Sequence, residues 1–376
     1  MTIRLAVVHT LGGGIISSVD ERLAWLNRSG GQVRATLVAP EKRCKNGLPG
    51  FFFPVKGDLP SSYHRDYEQT VSQAVIRALH EAYAKTRFDV IDAHDGTALI
   101  AASTVARQLG VRLIHTIHSH ELIERFQNEP SSELHAAVDA TDAFLAVSSY
   151  IAAQHRPILP MTVQVSRNPV PANVSSRTQQ PSEGAVRAIF VGRVEKAKGF
   201  DLLLEAAEFL CQRFDLTITV VGFPVEEDLV ERARKMTPRM RLTGRIVEPN
   251  RVFELLAQHD VFLFPTRKEA CSMALLEAMG TGLAVIASDI EPNREVAGEA
   301  AIFHRTGDAS HLAQCITELL QGTSDIQYLA GQAAERACKF APEIVFKELD
   351  AVYVSLVSRN YPDRTFKSAG YSGHRE

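Results

Sequence analysis

The chain has no CxxC pair, no zinc-type cysteine spacing, and no apolar run long enough to span a membrane. Its five cysteines, Cys44, Cys211, Cys271, Cys315 and Cys338, are scattered. That argues against a disulfide framework and fits a reducing, cytoplasmic setting. An excess of positive charge is also missing. The formal net charge of -3 gives no reason to expect a nucleic-acid partner, though it leaves room for a local basic pocket that holds phosphate. No basic amphipathic helix stands out, which disfavours an obligatory anionic-membrane substrate and leaves a peripheral membrane contact open. The first residues read as a buried strand running into glycines, without signal-peptide anatomy. The first glycine-rich turn lacks GxGxxG, which weakens a dehydrogenase reading.

The remaining composition is that of a globular protein, with 45% hydrophobic and 23% charged residues over 376 positions. That length suits two domains. Short apolar runs at Leu5–Val8, Ala35–Val38, Val90–Ala93, Leu113–Thr116 and Ala143–Val147 read as buried strands. Helical periodicity fills intervals such as Tyr67–Lys85 and Thr97–Leu109. A polar stretch at Asn173–Gly184 reads as a linker. The pattern then resumes with strands at Ala188–Val191, Leu216–Val221, Arg241–Thr243, Val261–Phe264 and Ala284–Ala287. Helices fit at Phe200–Arg213, Glu226–Lys235, Asn250–Gln258 and Met273–Met279, and a terminal helix at Glu343–Val357. Strands alternating with helices predict α/β architecture, with two Rossmann-like domains facing each other across a cleft. The expected division is residues 1–170, residues 171–342, a terminal helix over 343–358 returning to the first domain, and a disordered tail over 359–376.

Ligands of open parallel sheets sit beyond the carboxyl ends of the strands, so residues just after a strand carry most functional weight. In the second half, Ala188–Val191 leads into Gly192-Arg193 and then Lys198-Gly199, with Asp201 as an acceptable helix N-cap. Arg193 and Lys198 suit a diphosphate, one as a fork and one as a point charge. The competing reading is a solvated basic turn. Val261–Phe264 leads through Pro265 and Glu269 to Cys271-Ser272-Met273 and a helix that carries Glu277. The helix N-terminus suits phosphate, and Glu277 can accept two ribose hydroxyls. The alternatives are a first-turn carboxylate favoured by the helix dipole for Glu277, and a solvated loop charge for Glu269.

Arg193, Lys198-Gly199 and Pro265…Glu269…Glu277-Ala-Met, with seven residues between the glutamates, resemble glycosyltransferase family 4. The resemblance implies the GT-B fold and a retaining, metal-independent, hexosyltransferase-like reaction that needs no cofactor. The nucleotide diphosphate-sugar is a co-substrate, with a UDP-sugar favoured over a GDP-sugar, and the acceptor is unidentified. It assigns the diphosphate to Arg193 and Lys198, the ribose to Glu277 and the donor sugar to Glu269. Gly222, Arg245 and Ile246 match positions lining the base pocket, and Gly13 and Gly14 match a loop at the diphosphate. The chain departs from many relatives in having Ala270-Cys271-Ser272 in place of Gly-Phe-Gly, and Asp289–Glu295 in place of a glycine pair.

His115, His118, His120 and Glu121 suggest a metal site at first sight, but strand alternation puts His115 and His118 on opposite faces. His118 resembles the family's active-site histidine. His9, His94 and Asn168 are acceptor-side candidates, with buried structural roles as the competing reading. A nucleotide-sugar epimerase or a sugar phosphorylase is the alternative enzyme, and a noncatalytic sugar-nucleotide sensor the alternative from another class.

Overall fold

The computed structural model describes residues 2–10, 14–28, 31–41, 50–54, 65–128, 130–174, 186–322 and 325–358. Strands β1 (Ile3–Val8), β2 (Val33–Pro40), β3 (Gly50–Phe53), β4 (Val90–Ala93), β5 (Arg112–Ile117), β6 (Ala143–Ala146) and β7 (Val163–Val165) form one sheet. Strands β8 (Val186–Val191), β9 (Leu216–Val221), β10 (Met240–Gly244), β11 (Val261–Phe264), β12 (Ala284–Ser288) and β13 (Ile302–His304) form the other. Their orders are β3-β2-β1-β4-β5-β6-β7 and β10-β9-β8-β11-β12-β13, with parallel pairing throughout. Each order reverses once, between β1 and β4 and between β8 and β11, and those are the two points where ligand crevices open.

Helices cover both faces of the sheets. The first half carries α1 (Gly14–Leu26), α2 (Arg65–Thr86), α3 (Gly96–Leu109), α4 (Glu121–Asn128), α5 (Ser132–Asp139) and α6 (Ser149–His155). The second carries α7 (Phe200–Leu210), α8 (Glu227–Lys235), α9 (Pro249–Leu256), α10 (Met273–Thr281), α11 (Glu291–Ala297), α12 (Ala309–Leu320) and α13 (Ile326–Ala337). Two more close the described chain, α14 (Pro342–Val345) and α15 (Lys347–Val357). Burial on both faces explains why β6 and β11 are apolar without alternation; every residue of β4 and β12 is buried as well, Asp92 and Ser288 included. Local chemistry sets the helix ends. Asp95 caps α3 by accepting from the Ala98 N–H at 2.8 Å, and Gly110 closes it in the left-handed conformation.

Several boundaries depart from the expected ones. Three edge strands, β3, β7 and β13, were not anticipated; they are three or four residues long and owe their form to the strand beside them. The terminal helix is broken at Phe346, whose buried ring packs with Leu349, Tyr353 and Leu356 against β1 and β2. Asp201 lies in the first turn of α7 and not at its cap. The cap is Gly199 at φ +70°, and Asp201 binds Arg267 through two hydrogen bonds of 2.7 and 2.8 Å. Residues 175–185 of the linker, and the tail from 359 on, lie outside the described residues.

The carboxyl rims of the two sheets face each other. Glu124 of α4 pairs with Lys268, just past β11, at 2.6 Å. Glu295 of α11 accepts from the Ser149 and Tyr150 N–H groups at the start of α6, at 2.8 and 3.1 Å. Asn168 reaches both halves, accepting from Ser18 of α1 at 2.7 Å and donating to the Cys271 carbonyl at 3.2 Å.

Candidate functional site

On the second sheet, β8 and β11 end side by side at the switch point, and the loops that leave them interlock. The Cβ that residue 199 lacks would stand 1.9 Å from the Pro265 carbonyl oxygen, and one on Gly222 would stand 1.7 Å from the Gly192 carbonyl. Only glycine permits both approaches. The first brings Lys198 onto Glu269, Nζ to Oε1 at 2.6 Å, and Thr266 also donates to that carboxylate at 3.3 Å. Two charges 71 positions apart thus meet where a ligand would enter, with side chains only 22% and 11% exposed. Arg193 pairs instead with Glu195 at 2.8 Å, its side chain 44% exposed.

Helix α10 starts beside this pair. Ser272 caps it by accepting from the Leu275 N–H at 3.3 Å, and Gly282 ends it at φ +84°. Cys271 and Met273 are buried here, and burial pushes the Cys271 thiol up to about 12. Glu277 sits in the second turn of α10, beyond the first-turn carboxylate position that the sequence left open. Burial, followed by the neighbouring Glu21 of α1, pushes its carboxyl up to about 7. No hydrogen bond or ion pair to that carboxyl is formed among the described residues. A buried carboxyl without a partner is a group poised for a ligand.

The base-pocket candidates lie on the rim of β9 and β10. Gly222 follows β9, and Arg245 and Ile246 follow β10, Arg245 exposed and Ile246 half-buried. A cavity of about 480 Å³ opens nearby, and its lining includes Val194, Gly222, Arg234, Arg241 and Gly244. Its walls include neither Arg245 nor Ile246, and neither Lys198 nor Glu269. Gly13 lies outside the described residues, and Gly14 opens α1.

On the first sheet, His9 follows β1 and His94 follows β4, both buried at the other switch point. Thr10 donates to Asp95 through its N–H at 2.6 Å and its hydroxyl at 2.8 Å. His118, one residue past β5, shares a ring-to-ring hydrogen bond with His94, Nε2 to Nδ1 at 2.8 Å. Burial first, with the neighbouring His94 ring second, keeps the His118 imidazole well below its ordinary pKa and hence neutral. His115 turns elsewhere, its Nδ1 2.9 Å from the Ala93 carbonyl and its ring edge-on to Phe144. Burial lowers His115 to about 4.

The candidates therefore fall into direct pairs, Lys198 with Glu269, Asn168 with Cys271 and His94 with His118. Arg193 is engaged within its own turn. Sequence reasoning missed Asp92, buried in β4, which lies 3.1 Å from Arg22, 3.3 Å from His94 and 2.6 Å from the Tyr353 hydroxyl. The available signal was an acid inside an apolar strand, two residues before a histidine.

Two family profiles match, one described as "Glycosyl transferases group 1" over residues 185–322 and one as "Glycosyltransferase Family 4" over 12–173. The phosphatidyl-myo-inositol mannosyltransferase of Mycolicibacterium smegmatis is 32% identical over 181 residues, 46% of each chain. The D-inositol 3-phosphate glycosyltransferase of Pseudarthrobacter chlorophenolicus is 28% identical over 291 residues, 69% of this chain and 66% of that one. The matches thus span about half to two thirds of those relatives' lengths. Among solved structures, sucrose-phosphate synthase of Thermosynechococcus elongatus superposes with a TM-score of 0.75 at 17% identity, covering 94% of this chain and 99% of that one. Anabaena HepE in complex with UDP gives 0.73 at 17%, covering 94% and 100%.

Proposed function

Because the chain belongs to the family 4, group 1 glycosyltransferases and adopts the GT-B fold, we propose that it transfers a sugar from a nucleotide diphosphate-sugar to an acceptor hydroxyl. The observation that carries this reading is the Lys198–Glu269 pair at the β8/β11 switch point, beside the start of α10 and the unpartnered Glu277. A UDP-sugar is the favoured donor, a choice supported by the neighbour HepE, which was solved with UDP and with UDP-glucose.

In this proposal the bond between the anomeric carbon and the diphosphate breaks, and the departing phosphate gains negative charge. Lys198 and the free amides at the start of α10 stabilise that charge, and Arg193 joins them after leaving Glu195. Once Lys198 turns to phosphate, Glu269 is released to face the sugar and steady its developing positive charge. Glu277, ionised, accepts from the two ribose hydroxyls. Positive charge from the side chains and the helix lets the reaction proceed without a metal. The acceptor attacks from the face that the phosphate leaves, passes its proton to that phosphate, and the anomeric configuration is retained. The acceptor enters on the His9, His94 and Asn168 side, and its identity is open. Closure of the two halves, through contacts such as Glu295 with α6, excludes water from the reacting centre. The division at residues 170/171 and a cytoplasmic setting belong to the same proposal. Among the described residues no helix is long and apolar enough to cross a membrane.

The test is a thermal-shift series with UDP, GDP and ADP and their sugars, followed by NMR of the product anomer. Stabilisation by UDP and UDP-sugars and a retained anomer support the reading. An inverted product, or turnover abolished by EDTA and restored by a divalent cation, overturns the mechanism.

A further inference from the structure

The two halves treat the start of a helix differently. In the second, the neutral Ser272 caps α10, and no acidic residue stands in its first turn. In the first, α3 opens at the carboxyl rim of the sheet directly after β4, and this chain's own carboxyls take its leading N–H groups. Ala98 donates to Asp95 Oδ1 at 2.8 Å, and Gly96 donates to Glu121 Oε1 at 3.2 Å. Free N–H groups are what make a helix start an anion site, and here they are already engaged.

The groups around that start add negative charge. Arg125 of α4 binds Glu68 of α2, Nη2 to Oε2 at 2.7 Å, and its Nη1 lies 3.6 Å from Glu121 Oε1, so two carboxyls share its guanidinium. Thr97 donates its hydroxyl to the same Glu68 oxygen at 3.4 Å. A Cβ on residue 96 would stand 2.6 Å from Arg125 Nη1 and 2.7 Å from Glu121 Oε1, so glycine lets both groups lie on the helix start. Burial, followed by the neighbouring Asp95, pushes the Glu121 carboxyl up to about 8, and burial raises Glu68 as well. A rim that raises its own carboxyls in this way resists a further negative charge. Glu121 is not sealed off, since 14% of its side chain is exposed. One turn further along α4, Glu124 reaches Lys268 at 2.6 Å, next to Glu269. The start of α4 therefore lies across the cleft from the loop proposed to face the donor sugar.

We propose that the acceptor is recognised here as an uncharged polyhydroxyl compound, a sugar or cyclitol that carries no phosphate, with Glu121 as the specificity-determining residue. Its carboxyl holds the place at α3 that an acceptor phosphate would take, and its second oxygen hydrogen-bonds an acceptor hydroxyl. This proposal rests on the sugar-transfer reading above and names the acceptor class for it.

The experiment gives the full chain the nucleotide-sugar that stabilises it most, together with paired acceptors. The pairs are myo-inositol with inositol 3-phosphate and glucose with glucose 6-phosphate, and release of the nucleoside diphosphate above donor hydrolysis is measured. The native chain is expected to use the unphosphorylated member at least about 10-fold better, since like charges brought together at a binding site suppress the wrong partner. In Glu121→Ala, which uncovers the Gly96 N–H, that ratio should fall by about 10-fold. A merely structural loss would slow both members alike and leave the ratio unchanged. Preference of the native chain for the phosphorylated member, or an unchanged ratio in the variant, overturns the proposal. Should Glu121→Ala not fold, Glu121→Ser also withdraws the carboxyl and takes its place. Should no pair be turned over, titration with inorganic phosphate followed by phosphorus-31 NMR decides: the variant gains a phosphate site over the native chain, and equal binding by the two overturns the proposal. Failure of every nucleotide to bind would overturn the donor reading, and the phosphate comparison would still decide this one.

Discussion

Replacing Gly199 with alanine tests whether the crossing of the β8 and β11 loops builds the proposed donor site. The effect divides into two parts that a second variant separates. At φ +70° an alanine in the left-handed region costs about 1–2 kcal/mol, offset by about 0.4–1 kcal/mol from the stiffer unfolded chain. Gly282, at φ +84°, carries the same conformational penalty, yet a Cβ there meets nothing within 4 Å. Gly282→Ala is therefore expected to destabilise by about 1 kcal/mol. At Gly199 the Cβ would also lie 1.9 Å from the Pro265 carbonyl oxygen, part of a backbone tied down by neighbouring loop contacts. Overpacking of that kind adds about 1–3 kcal/mol, so Gly199→Ala should lose about 3 kcal/mol. It should also separate Lys198 from Glu269. The assay is urea unfolding of both variants beside the native chain, compared at constant slope. Equal destabilisation by the two substitutions would show that the close approach to Pro265 contributes nothing.

Other expectations follow from single groups. Glu277 is raised from 4.5 to about 7, so the folded chain holds its proton more tightly than the unfolded chain does. Stability is therefore present below about pH 4.5 and lost as pH rises through 7, about 3 kcal/mol in all, and Glu277→Gln should remove that slope in pH-dependent denaturation. UDP affinity should rise across the same window in the native chain, because the ionised carboxylate is the form that accepts ribose hydroxyls; a flat profile counts against that role. Cys271, buried and pushed up to about 12, should resist alkylation at pH 8 while exposed Cys338 reacts, as peptide mapping would show. Glu295→Ala leaves two N–H groups of α6 without their acceptor and should lower stability by about 1 kcal/mol, read as a lower melting temperature.

The central strands were legible because burial on both faces of a parallel sheet leaves an unbroken apolar run, as in Val261–Phe264 and Ala143–Ala146. The edge strands were not, since Val163–Val165 and Ile302–His304 are too short to carry a pattern and take their form from β6 and β12. Lys198 and Glu269 could each be picked out from the strand that precedes them. Their contact depends on β8 lying beside β11, a fact of strand order that no local window contains. The same holds for Arg22, Asp92 and Tyr353, drawn together from positions 22, 92 and 353. The break at Phe346 reflects tertiary packing, the ring entering the core at the point where helical periodicity alone would continue.

The proposed donor site turns on Lys198, in the loop after β8, meeting a nucleoside diphosphate. Isothermal titration of UDP into the native chain and into Lys198→Ala tests it directly. Loss of one charge-assisted contact amounts to about 2 kcal/mol, so saturable binding that weakens about 30-fold in the variant is the predicted result. Equal affinity in the two chains, or no binding of UDP, GDP or ADP to either, would contradict it.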